Sequence, residues 1–469
     1  VKKTSKTQAV STWPAAALVI SNMIGTGVFM SLGWQALGFT RPDGTSMLTG
    51  SVFPILMLWI VGGVLALCGA LCYAELATAL PRSGGEYNFL SRIYHPMVGF
   101  CTGLCSASIG FAAPIAASAL VFGDYFQRAF PQWAHLVPNN TVHLIAFVLV
   151  TVVTLCHLRS LRFTGVFQAA ITGLTVLLLL AFVVFGFATP PSHPVSFAPH
   201  LADWNLPLLG SFGGLLIYVM YSYSGWNAAS YIVEEVRNPG KALPRALIYG
   251  TLFVLGLYVL VNSVFLYTTP LPQLANQARL GHPEVAHLAG TAIFGPVGAR
   301  ISSALICVGL VANVSGMMWV GSRVGQAIGA TYPVLGVLGR TSKTRVPTIS
   351  LCYQYAITFV LLFFQPDKII DYVESVLIFW SLLAVLGVIV LRFREPDLPR
   401  PYRTWGYPVT PIVFAVIAVF CLVQTYQSHR METIVGAATV LIGIPIYLWA
   451  CRNVSAEQLR GQTVPESSS

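Results

Sequence analysis

Apolar residues recur along this chain in runs long enough to cross a bilayer, which takes about 20 helical residues, and polar connections between them are short. The pattern predicts helices at about 13–37, 52–80, 96–128, 142–158, 163–188, 206–233, 243–269, 297–329, 347–364, 369–391, 408–428 and 432–451. No soluble insertion interrupts the series, so residues 13–451 read as one membrane domain of about twelve helices. The series divides into two sets of five, about 13–188 and 206–391, followed by two helices at about 408–451. Five spans is an odd number, so the second set starts from the opposite side of the membrane, as in an inverted-topology repeat. Residues 1–12 and 452–469 are polar and read as tails, the first without the apolar core of a cleavable signal peptide.

The first span of each set carries glycines in mid-membrane, within Asn22-Met23-Ile24-Gly25-Thr26-Gly27 and Tyr223-Ser224-Gly225-Trp226-Asn227. Glycine weakens a helix by about 1 kcal/mol relative to alanine. An opened turn survives in hydrocarbon only where it faces protein or a watery cavity. Two such breaks in corresponding positions point to the central binding site of a transporter.

Composition agrees. The 469 residues are 55% hydrophobic and 9% charged, with mean hydropathy +0.72. Soluble domains carry about 25% charged residues. The net charge of +10 is explained by placement and does not point to nucleic acid. With the amino terminus inside, 20 of the 26 Lys and Arg fall on the inner side and six on the outer. The positive-inside rule thus supports an integral membrane protein of the cell membrane with both termini cytoplasmic. The nine cysteines are scattered through apolar segments. Cys68/Cys72 and Cys101/Cys105 share helix faces, but no His or carboxylate joins them at ligand spacing, so they read as small core residues and no metal is expected. Asn139-Asn140-Thr141 is formally a glycosylation sequon, read here as chance because it lies so close to the membrane.

Two inner connections are unusually polar: Pro81-Arg82-Ser83-Gly84-Gly85-Glu86-Tyr87 and Glu234-Glu235-Val236-Arg237-Asn238-Pro239-Gly240-Lys241. They read either as salt-bridged latches of an inner gate or as caps of helix ends.

Ile24-Gly25-Thr26-Gly27-Val28-Phe29 resembles the first-helix motif of the amino acid–polyamine–organocation (APC) superfamily. Tyr73-Ala74-Glu75-Leu76 with the Pro81–Tyr87 connection is similar to its second-helix signature. Tyr223-Ser224-Gly225-Trp226-Asn227 with Glu234–Pro239 is similar to its sixth helix, and Arg400–Pro408 to the segment before its eleventh. The closest flavour is the L-type amino acid transporter (LAT) branch and its prokaryotic relatives. The resemblance implies an all-α leucine-transporter (LeuT) fold: a 5+5 inverted repeat with helices 1 and 6 broken, two C-terminal helices, and alternating access. Two departures stand out. The outer loop from Pro131 to Thr141 lacks the cysteine that joins LAT-type chains to a heavy chain, so no disulfide-linked subunit is expected. Many members also carry a fifth-helix lysine that takes the place of a sodium ion; here the stretch Gln168–Thr175 seems aligned to put Thr175 there.

A free amino acid presents a carboxylate and an ammonium, and broken helices serve both. Amides and the positive dipole end at the start of a half-helix favour the carboxylate. Carbonyls at the end of one favour the ammonium. The carboxylate is therefore assigned to Ile24, Gly25, Thr26 and Gly27, and the amine to carbonyls near Met23, Tyr221 and Ser224, beside Gly225, Trp226 and Asn227. Gly25 and Gly27 are two residues apart and do not share a face, which argues for binding over small-residue packing. Tyr221 is read as an aromatic lid. Ile109, Ala112, Asn313 and Trp380 are candidates for the side-chain pocket, with core packing as the alternative for Asn313 and Trp380. No charge lies evidently at the midplane, so neutral amino acids are the expected substrates and membrane lipid the only other partner. For coupling, Thr175 with Asn313 or Ser315 could surround Na⁺, Glu75 could carry a proton, or the protein could exchange one amino acid for another without a cofactor. An organic-cation permease, a membrane enzyme and a non-transporting sensor are the competing classes.

Overall fold

The computed structural model describes residues 10–41, 44–48, 51–133, 140–191, 193–200, 206–281, 285–364, 366–428 and 430–454. These residues form a nearly all-helical bundle without a β-sheet; pairing between extended segments is confined to isolated bridges. The first span is α1 (Thr12–Met23) and α2 (Gly27–Gly38), and the second is α3 (Phe53–Ala79). A short α4 (Glu86–Ile93) leads to the third span, α5 (Pro96–Cys105) and α6 (Ala112–Ala129). Then come α7 (Thr141–Arg159), α8 (Leu161–Ala188), α9 (Leu206–Tyr223) and α10 (Pro239–Thr268). The connection holds α11 (Leu271–Arg279) and α12 (Ala286–Phe294) before α13 (Gly298–Thr331). The chain finishes with α14 (Thr348–Leu361), α15 (Pro366–Arg394), α16 (Val409–Ser428) and α17 (Arg430–Ala450).

A helix coincides with every expected span. Ten helical stretches are long and apolar enough to cross a membrane. The sixth expected span falls short because it is broken after Tyr223, and the ninth because α14 has only 14 residues. The apolar pattern missed α4, α11 and α12, whose mixed polar and apolar faces form no continuous run. It also read the third span as unbroken. There, Ser106–Gly110 form a π-turn, with the Phe111 amide donating to the Ser106 carbonyl at 3.2 Å. Pro114 supplies the cause: it has no N–H for the Gly110 carbonyl, and its ring crowds that carbonyl.

One expected coupling residue proves to hold the fold together. Glu75 is buried near the end of α3, and Arg392 of α15 grips its carboxylate with two bonds, at 2.9 and 2.6 Å. The Thr404 amide adds a third at 2.7 Å, and the Arg400 guanidinium lies 3.4 Å away. With two guanidiniums fixing its charge, Glu75 pins α3 to α15 and to the connection before α16. Nothing in this geometry favours a mobile proton on it. Of the two tails, residues 1–9 and 455–469 lie outside the described residues. Val10, at the edge of the first, exchanges backbone bonds with Glu235 (2.9 Å) and Arg237 (2.8 Å), tying the chain's start to the end of the sixth span.

Candidate functional site

In the first break, α1 ends at Met23 and Ile24 turns out of the helix with ψ +80°. The helix resumes at Gly27, so the first amides of α2 have no intrahelical acceptor and head its positive dipole end. In the second, α9 ends at Tyr223 and Gly225 adopts φ +100°, a conformation L-residues rarely take. The chain then continues as a 3₁₀ helix, Ala228–Glu235.

The two breaks touch. A Cβ on Gly225 would lie 2.7 Å from the carbonyl carbon of Asn22, and one on Gly27 would lie 2.5 Å from Ser222 Oγ and 2.7 Å from Ser222 Cα. One turn beyond Gly27, the hydroxyls of Ser31 and Ser222 are 2.8 Å apart. Gly27 and Ser31 therefore form a small-residue stripe against α9. This corrects the reading that set packing aside: Gly27 offers its amide at the head of α2, and its missing side chain makes room for the other broken helix.

Between the breaks lies a cavity of about 10 Å³, room for roughly one water. It is lined by Met23, Gly25, Thr26, Gly27, Tyr221 and Ser224 from the expected set, together with Asn22 and Ser222. Asn313 reaches it too, but as a brace. Its Nδ2 donates to the carbonyls of Ser21 (2.9 Å) and Asn22 (3.1 Å) in the last turn of α1, and its Oδ1 accepts from Ser118 Oγ at 3.0 Å. The Tyr221 and Thr26 hydroxyls stand 3.4 Å apart across the opening. Ser118 and Met317 complete the wall; a small polar residue and a methionine in apolar runs gave no sequence signal.

The remaining pocket candidates are elsewhere. Trp226 fills a notch at Gly69 of α3, with its ring 4.7 Å from Tyr73 and 6.0 Å from Phe414. Ile109 packs toward Val373 and Leu377, Ala112 is fully buried, and Trp380 lies against Phe379. Ile24 is buried at the turn without lining the cavity.

A sequence profile described as amino acid permease matches residues 10–447. This chain belongs to the amino acid permease family. Similar proteins include the Asc-type amino acid transporter 1 of Mus musculus, 27% identical over 92% of this chain and 79% of the relative. The large neutral amino acids transporter small subunit 2 of Homo sapiens is 28% identical over 92% and 78%. The serine/threonine exchanger SteT of Bacillus subtilis (strain 168) is 26% identical over 92% and 94%.

The oxygen shell expected around Thr175 is not assembled in this permease. The Thr175 hydroxyl donates back to the Ile171 carbonyl of its own helix at 2.9 Å. Two turns earlier, Gln168 occupies the junction of α1, α8 and α13. Its Nε2 lies 2.7 Å from Ser21 Oγ, 3.1 Å from the Ala312 carbonyl and 3.2 Å from Thr172 Oγ1. Ser315 donates to Gln168 Oε1 at 2.7 Å, so the His157 Nε2, 2.9 Å from Ser315 Oγ, is the donor in that contact. Ser315 thus belongs to a buried polar chain and not to a shell with Thr175. The available signal was a lone amide, Gln168, inside an apolar run.

Glu86 was the other residue whose position the sequence left open. It is buried at the start of α4 and accepts from Tyr73 (2.7 Å), from Asn227 Nδ2 (2.7 Å) and from the Tyr231 hydroxyl. Gly85, at φ +55°, makes this possible, since any Cβ there would sit 2.5 Å from the Tyr231 ring. Asn227 therefore turns its amide toward Glu86, away from the cavity. The same connection binds the 3₁₀ helix through Gly84 N to the Tyr231 carbonyl (3.1 Å) and Glu234 N to Ser83 Oγ (3.0 Å).

Beyond this connection a vestibule of about 710 Å³ opens, lined in part by Glu234, Glu235, Arg323, Gln326 and Arg345. Glu235 pairs with Arg323 and accepts from Trp319 Nε1 at 3.1 Å. Burial pushes the Glu235 carboxyl up, and Arg323 opposes that shift.

Proposed function

We propose that this permease exchanges neutral amino acids across the cell membrane by alternating access. The meeting of two broken helices at one small cavity carries the reading. The α2 amides with the Thr26 hydroxyl offer donors for a carboxylate, and the last carbonyls of α1 and α9 offer acceptors for an ammonium. The lining residues are uncharged, which favours neutral side chains over a basic or polyamine substrate. The vestibule lies on the side expected to be cytoplasmic, and the cavity must open by movement of the broken helices before a ligand fits.

Exchange is favoured over Na⁺ coupling because the Gln168 amide already donates into the oxygens gathered from α1, α8 and α13. No disulfide-linked subunit is proposed, since no cysteine lies between Pro131 and Thr141; residues 134–139 of that loop lie outside the described residues. The test is uptake of labelled alanine, serine and leucine into proteoliposomes loaded with unlabelled amino acid, in Na⁺ and in choline buffers. Saturable uptake that needs internal amino acid and ignores Na⁺ is expected. Uptake into empty vesicles driven by a Na⁺ gradient would overturn exchange, and putrescine uptake in place of alanine would overturn the substrate class.

A further inference from the structure

One buried phenol joins the two breaks. Tyr258 of α10 is fully buried, and its hydroxyl lies 2.5 Å from the Met23 carbonyl and 3.0 Å from the Ser222 carbonyl. Met23 is the last residue of α1, and Ser222 is the second-last of α9. In unbroken helices these carbonyls would accept from Gly27 and Trp226, four residues on; the breaks remove both donors. Two negative helix ends are thus brought together, and one O–H serves them both. The Tyr258 ring cannot swing away. It meets Trp59 edge-on at 5.4 Å and Tyr223 at 5.0 Å.

Both Met23 and Ser222 line the cavity, whereas Tyr258 stands behind them. We propose that Tyr258 is a positioning residue for the ammonium subsite: its hydroxyl holds the carbonyl ends of both broken helices at the spacing that receives the substrate's amine. The phenol has one proton for two acceptors, so the pair retains capacity for further N–H donors, which an ammonium supplies and a hydroxyl or methyl group at that carbon does not. The inference rests on the cavity being an amino acid head-group site. Because Tyr258 acts on the head group, its loss should weaken all neutral substrates by the same factor.

The test compares wild type, Tyr258→Phe and Tyr223→Phe, full-length and in proteoliposomes, for exchange of alanine and of leucine. Tyr223 is the matched control: its equally buried hydroxyl donates to the Trp59 carbonyl of the unbroken α3, at 2.9 Å. Tyr258→Phe is expected to raise KM about tenfold for both amino acids, equivalent to roughly 1.4 kcal/mol, with maximal rate within about twofold, since only ground-state binding is lost. Tyr223→Phe should leave KM unchanged. An unchanged KM in Tyr258→Phe, unequal shifts for alanine and leucine, or the same rise in Tyr223→Phe would overturn the assignment. Failure of Tyr258→Phe to fold while Tyr223→Phe folds would also overturn it, because the hydroxyl would then hold the fold. Absence of saturable exchange by wild type would overturn the reading of the cavity itself.

Discussion

Alanine at the three break glycines should separate close packing from ligand contact. At Gly25 the added methyl meets only the Asn313 side chain, at 3.1 Å, and an amide can shift by the few tenths of an ångström required. At Gly27 it meets Ser222 backbone at 2.7 Å, so α2 and α9 must part. Overpacking of this kind costs about 1–3 kcal/mol. At Gly225 it meets the Asn22 backbone at 2.7 Å and must also adopt φ +100°. The strained backbone adds about 1–3 kcal/mol, for a total of roughly 2–6 kcal/mol. The assay is amino acid affinity of purified variants, by ligand-induced thermal shift and by exchange KM. Since about 1.4 kcal/mol is a factor of ten, Gly25→Ala should stay within about tenfold of wild type. Gly27→Ala should lose roughly tenfold to a hundredfold, and Gly225→Ala should lose more or fail to fold. Full affinity in Gly225→Ala, or a greater loss in Gly25→Ala than in Gly27→Ala, would refute the argument that the two helices pack through their glycines.

Glu75→Gln strands the Arg392 and Arg400 charges and should cost about 3–5 kcal/mol, read as lost monodisperse protein in size-exclusion chromatography; a stable variant that only loses pH-dependent uptake would restore the proton-carrier role. Glu86→Ala leaves the Tyr73, Tyr231 and Asn227 donors without their acceptor, at about 1–3 kcal/mol each, and should raise exchange KM. Glu86→Gln keeps an oxygen for Tyr73 and Asn227 and an amide facing Tyr231, so near wild-type exchange is expected, and an equal defect in both variants would show that the charge itself is needed.

The sequence alone determined the class, the span order and the place of both breaks. These follow from one-dimensional facts: apolar run length against bilayer thickness, Lys and Arg placement, and glycine where a spanning helix disfavours it. The head-group residues Met23, Gly25, Thr26, Gly27, Tyr221 and Ser224 were legible because they are local to the breaks. What a side chain faces across the bundle was not legible, because an apolar span has no polar stripe to fix its rotation. Thr175 and Gln168 are seven residues apart, two turns on nearly the same face, and only packing against α1 and α13 puts Gln168 at the junction. Trp226 and Asn227 follow the second break, yet the 3₁₀ path after Gly225 turns one into a notch on α3 and the other onto Glu86. Tyr258 resembles any aromatic residue of a membrane helix until the carbonyls of two broken helices are seen to converge on its hydroxyl.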